Sequence, residues 1–87
     1  MEPMKHAGDD ALEQLGSLLD QLRGIDELKE KRPGVFYCRS KAFLHFHEDH
    51  SGLFADLRSD DEFLRFEVTT ASQQKSLMVR VRKEVSH

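Results

Sequence analysis

Three histidines and two carboxylates occur within six residues, from His45 to His50. Imidazole nitrogens and carboxylate oxygens bind divalent transition metals and carry protons in acid–base catalysis. His45 and His47 are two residues apart, so on a β-strand both side chains point to the same side of the sheet and can converge on one ion. His50, Asp49 or Asp56 could supply a third ligand. The predicted candidate metal ligands are His45, His47, His50 and Asp56.

Two interpretations of this cluster remain open. In the first, the ligands hold zinc or another divalent transition metal, a water takes the open position, and Glu48 or His50 carries protons. The chain would then be a metal- or histidine-assisted enzyme centred on His45, His47 and Asp56. In the second, the histidines are ordinary half-exposed strand and turn residues, a role that histidine fills readily. The second interpretation is favoured, so no cofactor is predicted, with zinc as the alternative.

As written, residues 45–50 match the H-x-H-x-D-H signature of the metallo-β-lactamase superfamily, which would imply a zinc-dependent hydrolase. That fold needs well over twice the 87 residues of this chain, and it needs further ligands downstream. The only histidine after His50 is His87. The signature is therefore interpreted as a chance match.

A wider resemblance begins at Phe36. The stretch Phe36–His47, followed by Gly52–Leu57, resembles the luciferase-like domain of bacteria and fungi, which has a similar apolar-His-x-His stretch, a short turn and another strand. The resemblance implies that His45 and His47 match the paired histidines of that domain, and it does not imply light emission. In plan the chain is also similar to small MmcQ/YjbR proteins, in which an Arg-x-Lys turn precedes an apolar strand. Both resemblances imply a fold more than an activity.

The N-terminal third of the chain carries a leucine every three or four residues, which predicts a helix over residues 9–24. Asp10 and Glu13 have the spacing of a capping box at its start. Residues 1–8 lack periodicity and are predicted to be a loose lead-in. Residues 25–34 are charged and end in a turn signal, and their structure is left open.

The rest of the chain favours strands and then a closing helix. Thr70 and Gln73 form a second capping-box pair, which decides for a helix although residues 79–82 alternate as a strand would. The predicted fold is a single α+β domain over residues 1–87: a four-stranded antiparallel meander with both helices packed on one face, in the order α-β-β-β-β-α. The predicted strands are Val35–Arg39, Ala42–His47, Leu53–Arg58 and Glu62–Val68.

Strand alternation predicts an apolar inner face under the helices and an outer face that mixes aromatic and charged side chains. The outer aromatic residues are Tyr37, Phe43, Phe54 and Phe63. Apolar surface that lies together and exposed usually marks an interface or a binding site. A second copy of the chain, a small ligand or stacked nucleic-acid bases could cover this face.

Composition reduces the number of partners that are expected to cover the outer face. A net charge of −3 disfavours nucleic acid, whose binding proteins usually carry a basic excess. The single cysteine, Cys38, cannot close an intramolecular disulfide, and no apolar run predicts a signal peptide or a membrane span. The expected protein is a cytoplasmic, non-enzymatic module that binds itself or a protein partner through its outer sheet face.

Overall fold

Residues 5–86 are described by the computed structural model, and they form an α+β arrangement with a mostly antiparallel sheet. This confirms the predicted fold class and the closing helix. None of the helices in the described part of the chain is long and apolar enough to span a bilayer. The helices are α1 (Asp9–Gln14), α2 (Gly16–Arg23) and α3 (Ala71–Val85). The strands are β1 (Lys5–His6), β2 (Leu28–Arg32), β3 (Val35–Cys38), β4 (Lys41–Asp49), β5 (Gly52–Ser59) and β6 (Glu62–Glu67).

The sheet has two more strands than the four predicted. Strands β2 to β6 pair in sequence order as an antiparallel meander, and β1 pairs with β4 beyond the end of β3. Strand β2 comes from the segment whose structure was left open, and its exposed lysines and arginine suit an edge strand, where charge discourages pairing with other chains. Strand β1 comes from the segment that was predicted to be loose.

The N-terminal helical segment differs from the prediction of one helix. It forms two short helices because Leu15 leaves the helical conformation, with φ −90° and ψ 7°. The capping box predicted from Asp10 and Glu13 does not form, since the N-cap residue is Gly8 and no side chain caps the helix. The leucine stripe nevertheless faces the core, with Leu15 and Leu22 fully excluded from solvent and Leu12 partly buried.

Helix α3 begins where the sequence predicted. The Thr70 hydroxyl accepts the Gln73 backbone N–H at 3.1 Å, and the Gln73 side chain accepts the Thr70 backbone N–H at 3.0 Å. This reciprocal pair satisfies two of the backbone donors that a helix leaves free at its start. Leu77 and Val81 on the inner side of α3 are fully buried, so the helix covers the sheet as expected.

The apolar face of the sheet forms the core with the helices, and Phe36, Leu44 and Phe46 are almost completely buried there. Phe43 was predicted to lie on the outer face, and this placement is wrong. The register between β3 and β4 shifts between Phe36 and Tyr37, so β4 carries an extra residue at a β-bulge. Phe43 is 6% exposed and packs within the hydrophobic core cluster.

Candidate metal centre

The hairpin of β4 and β5 brings the three central candidate ligands together on the outer face. His45 and His47 alternate with the buried Phe46 on β4, which places both imidazoles on the side away from the core. Asp56 on β5 lies directly opposite His45 in the antiparallel register. The three side chains therefore occupy neighbouring positions on one sheet surface.

The donor atoms of these side chains lie close together. His45 Nδ1 is 2.7 Å from His47 Nε2, and His47 Nε2 is 3.2 Å from Asp56 Oδ2. One donor atom from each of the three residues lies within 4.8 Å of the others. A tetrahedral zinc ion with bonds of about 2.0–2.1 Å separates its ligand atoms by about 3.4 Å. The three donor atoms are therefore close enough together for one ion to reach all of them once the 2.7 Å contact between the imidazoles opens.

His47 Nε2 has a single proton or a single lone pair, yet it faces two partners. If it carries a proton, it can donate to His45 Nδ1 or to the Asp56 carboxylate. If it does not, its lone pair accepts the Nδ1–H of His45 and also faces the lone pairs of the Asp56 carboxylate. A cation among the three donor atoms would accept all of these lone pairs at once.

Arg65 on β6 holds the carboxylate of Asp56 in place. Its Nε and Nη2 donate to Oδ1 and Oδ2, both at 2.8 Å, and Arg65 lies opposite Asp56 in the register of β5 and β6. The hydrogen bonds to Arg65 keep the pKa of Asp56 below its usual value, although burial acts against this. Asp56 is 8% exposed and is charged at neutral pH. A carboxylate offers about four lone-pair positions, so Arg65 leaves room for a further ligand bond.

The surroundings of both imidazoles favour the neutral form. Burial lowers the pKa of His45, and the charge of His47 lowers it further. Burial also lowers the pKa of His47, although the Asp56 carboxylate acts in the opposite direction. Neutral imidazoles and an ionised carboxylate are the protonation states in which these groups bind metals.

The other residues of the histidine-rich hexapeptide lie outside this group. His50 is exposed in the turn between β4 and β5. Asp49 accepts the backbone N–H of Ser51 at 2.7 Å, as expected of a turn residue. Glu48 accepts the backbone N–H of Gly8 at 2.6 Å. These contacts tie the turn and the N-terminal segment to the end of β4.

A third imidazole, which sequence analysis missed, lies beside the cluster. His6 on β1 is directly opposite His47 on β4, and the centres of the two rings are 5.9 Å apart at 90°. His6 is exposed to solvent. A strand of two residues leaves no periodic pattern, so no sequence signal predicted this neighbour.

The aromatic residues of the predicted binding face have different environments. Tyr37 and Phe54 are half-buried, whereas Phe63 is 40% exposed. The ring of Phe63 lies 5.0 Å from that of His45 and 4.7 Å from the guanidinium carbon of Arg58. Phe63 therefore forms an apolar rim beside the polar cluster.

Comparisons of the chain with protein-family models, with curated proteins and with solved structures found no match. The resemblances to the luciferase-like domain and to MmcQ/YjbR proteins therefore stay predictions.

Proposed function

We propose that this chain is a small binding module that holds a divalent transition metal, such as zinc, on its outer sheet face. The ligands in this proposal are His45, His47 and Asp56. The observation that carries it is the convergence of their donor atoms, with gaps of 2.7 and 3.2 Å between neighbours. Half-exposed strand histidines with ordinary polar roles have no need for two imidazole nitrogens to meet beside a carboxylate.

The surroundings of the three ligands support the proposal. Burial keeps the pKa of both imidazoles low, so a metal does not have to displace a proton from a charged ring at neutral pH. Arg65 orients the Asp56 carboxylate through two hydrogen bonds, the kind of support that metal ligands commonly receive from a second layer of residues.

The proposed role is binding rather than catalysis. The metal-assisted enzyme considered from the sequence would use Glu48 or His50 as its proton carrier. Glu48 is engaged with the backbone of Gly8, and His50 lies in the exposed turn outside the group of three donors. Neither residue is placed beside the metal ligands to move a proton. A reducing compartment such as the cytoplasm suits the buried, free thiol of Cys38.

Zinc titration of tag-free, metal-depleted protein at neutral pH tests the proposal. We expect one zinc ion per chain, measured by competition with a chromophoric chelator. His47→Ala should weaken binding by more than about 100-fold, because loss of even a second-layer partner commonly costs 10–100-fold. His50→Ala is the matched control, since it removes an exposed imidazole three residues away and should leave the affinity unchanged. Equal affinities for the wild type and His47→Ala would overturn the proposal.

A second candidate function, self-association through the outer face, is favoured by the exposure of Phe63. Large aromatic side chains that remain 40% exposed on a sheet face are typical of surfaces that bind a second copy or another protein. Sedimentation analysis should then give a dimer that Phe63→Glu converts to a monomer. Val79→Glu is the control, because Val79 is 68% exposed on α3 rather than on the sheet. A monomeric wild type would contradict this candidate.

A further inference from the structure

The position of His6 is set by contacts on both sides of it. Strand β1 pairs antiparallel with the end of β4, Lys5 opposite Glu48 and His6 opposite His47. The next residue, Ala7, is 5% exposed and donates its backbone N–H to the Phe46 carbonyl at 3.1 Å. Because Ala7 is directed into the core, strand alternation directs His6 to the outer face, where the metal ligands lie.

The ring separations lie near those of imidazoles that share one ion. With a zinc–nitrogen bond of about 2.1 Å, each ring centre lies about 3.2 Å from the metal, so two tetrahedral imidazole ligands have centres about 5.2 Å apart. The centres of His45 and His47 are 4.8 Å apart, and those of His6 and His47 are 5.9 Å apart. The second separation exceeds the expected value, and the His6 nitrogens lie outside the group of three donors, so the exposed His6 side chain has to turn toward the cluster to bind the ion.

The donor set without His6 is incomplete for a closed site. Two imidazoles and one carboxylate fill three positions, whereas structural zinc sites are almost always four-coordinate. His6 adds a third imidazole, and His6 is also the member of the set that the N-terminal segment brings from outside the central hairpin. The cluster would then hold the metal in a His3Asp arrangement.

We propose that His6 is the fourth protein ligand and that the bound metal fastens strand β1 to the sheet. This inference rests on the metal-binding function proposed above. Its consequence is a thermodynamic coupling between the metal and the N-terminal strand. Opening of β1 removes one ligand and so lowers the affinity for the metal. By reciprocity, the bound metal must favour the closed strand by the same factor.

The test combines zinc affinity with hydrogen exchange on the full chain. His6→Ala should still bind one zinc ion, but about 10–100-fold more weakly than the wild type. The amide of Ala7, whose hydrogen bond to Phe46 breaks when β1 opens, should gain protection by a similar factor when zinc saturates the wild type. In His6→Ala, zinc should leave the protection of this amide unchanged. His50→Ala again serves as the control for an exposed imidazole outside the site.

The outcomes separate this inference from the proposal beneath it. If the wild type binds zinc and His6→Ala binds it with equal affinity, the role of His6 is overturned while the metal-binding function stands. The role of His6 is also overturned, and metal binding still stands, if zinc does not increase the protection of the Ala7 amide in the wild type. If the wild type binds no zinc at all, both proposals fail together.

Discussion

The two faces of the sheet are built from alternate residues of the same strands, yet they differ in almost every physical property. On β4 and β5, Leu44, Phe46 and Leu57 are fully buried against the helices. One residue away on each strand, His45 and Asp56 point to the other side and contact polar groups. The period of two that defines a strand thus separates the packing that stabilises the fold from the groups that could do chemistry. Substitutions on the two faces should therefore have separable effects.

The largest expected contrast comes from introducing the same charge on each face. Phe43→Glu replaces a ring that is 6% exposed in the core cluster with a carboxylate, and the lost apolar packing should cost about 3–5 kcal/mol. Arg39, Lys41 and Arg58 line the cavity beside Phe43, so the cost comes from the lost packing rather than from an unpaired charge. Phe63→Glu places the charge at a 40% exposed position beside Arg58 and should cost less than about 1 kcal/mol. Urea unfolding followed by circular dichroism compares the two. Similar stabilities for both variants would contradict the assignment of the faces.

A smaller effect is expected from the polar cluster. Asp56→Asn keeps the side-chain shape but replaces the charged carboxylate, which accepts two hydrogen bonds from Arg65 and faces His47, with a neutral amide. Because Arg65 is half exposed, we expect a loss of about 1–2 kcal/mol in the free energy of unfolding. Asp60→Asn, in the exposed turn between β5 and β6, is the control and should change stability by less than about 0.5 kcal/mol. A loss at Asp60 as large as that at Asp56 would show that the cluster has no special role in stability.

The helix that covers the inner face depends on its capping box. Thr70→Ala removes the hydroxyl that accepts the Gln73 N–H, so the free energy of unfolding should fall by about 1 kcal/mol. Thr70→Ser keeps the hydroxyl and should restore most of this loss. Zinc affinity should be the same in both variants, because the cap lies on an element that contributes no candidate ligand. A lower zinc affinity in Thr70→Ala than in Thr70→Ser would contradict the independence of the two faces.

The most gradual effect is that of pH on stability. The pKa values of His45 and His47 in the folded chain lie below the usual 6.5, with burial as the main cause for both. Above pH 6.5 these rings are neutral in both the folded and the unfolded chain, so their contribution is fully present. As the pH falls below 6.5 the unfolded chain binds protons first, and the stability falls. The decline between pH 6.5 and 5 should be shallower in His47→Gln. An equally steep decline in that variant would contradict the pKa assignment.

Much of the fold could be predicted from the sequence, because its signals are local. Alternation in residues 35–68 predicts the strands of the central meander, and the Thr70–Gln73 pair predicts the start of α3. The bulge at Phe43 could not be predicted, since it depends on how β3 and β4 pair and not on residue type. Strand β2 has only one buried residue, Leu28, which is too few for a pattern.

Part of the candidate site could also be predicted from the sequence. The spacing of His45 and His47 places both imidazoles on one face, and Asp56 follows from a hairpin whose turn is visible in the sequence. Arg65 follows in the same way, since it lies nine residues from Asp56 across the next hairpin, on a strand that the sequence predicted. His6 is different, because it reaches the cluster through β1, a strand of two residues that is too short to predict. Non-local pairing thus supplies His6, whereas the local pattern supplies the rest of the cluster.

The most direct test of the metal-binding site is a zinc titration followed by long-range proton–nitrogen correlation spectra of the imidazole rings. We expect the Nδ1 resonance of His45 and the Nε2 resonance of His47 to shift to metal-bound values at one equivalent of zinc, while both nitrogens of His50 stay unchanged. Unchanged spectra of His45 and His47 at saturating zinc, or a response confined to His50, would contradict this expectation.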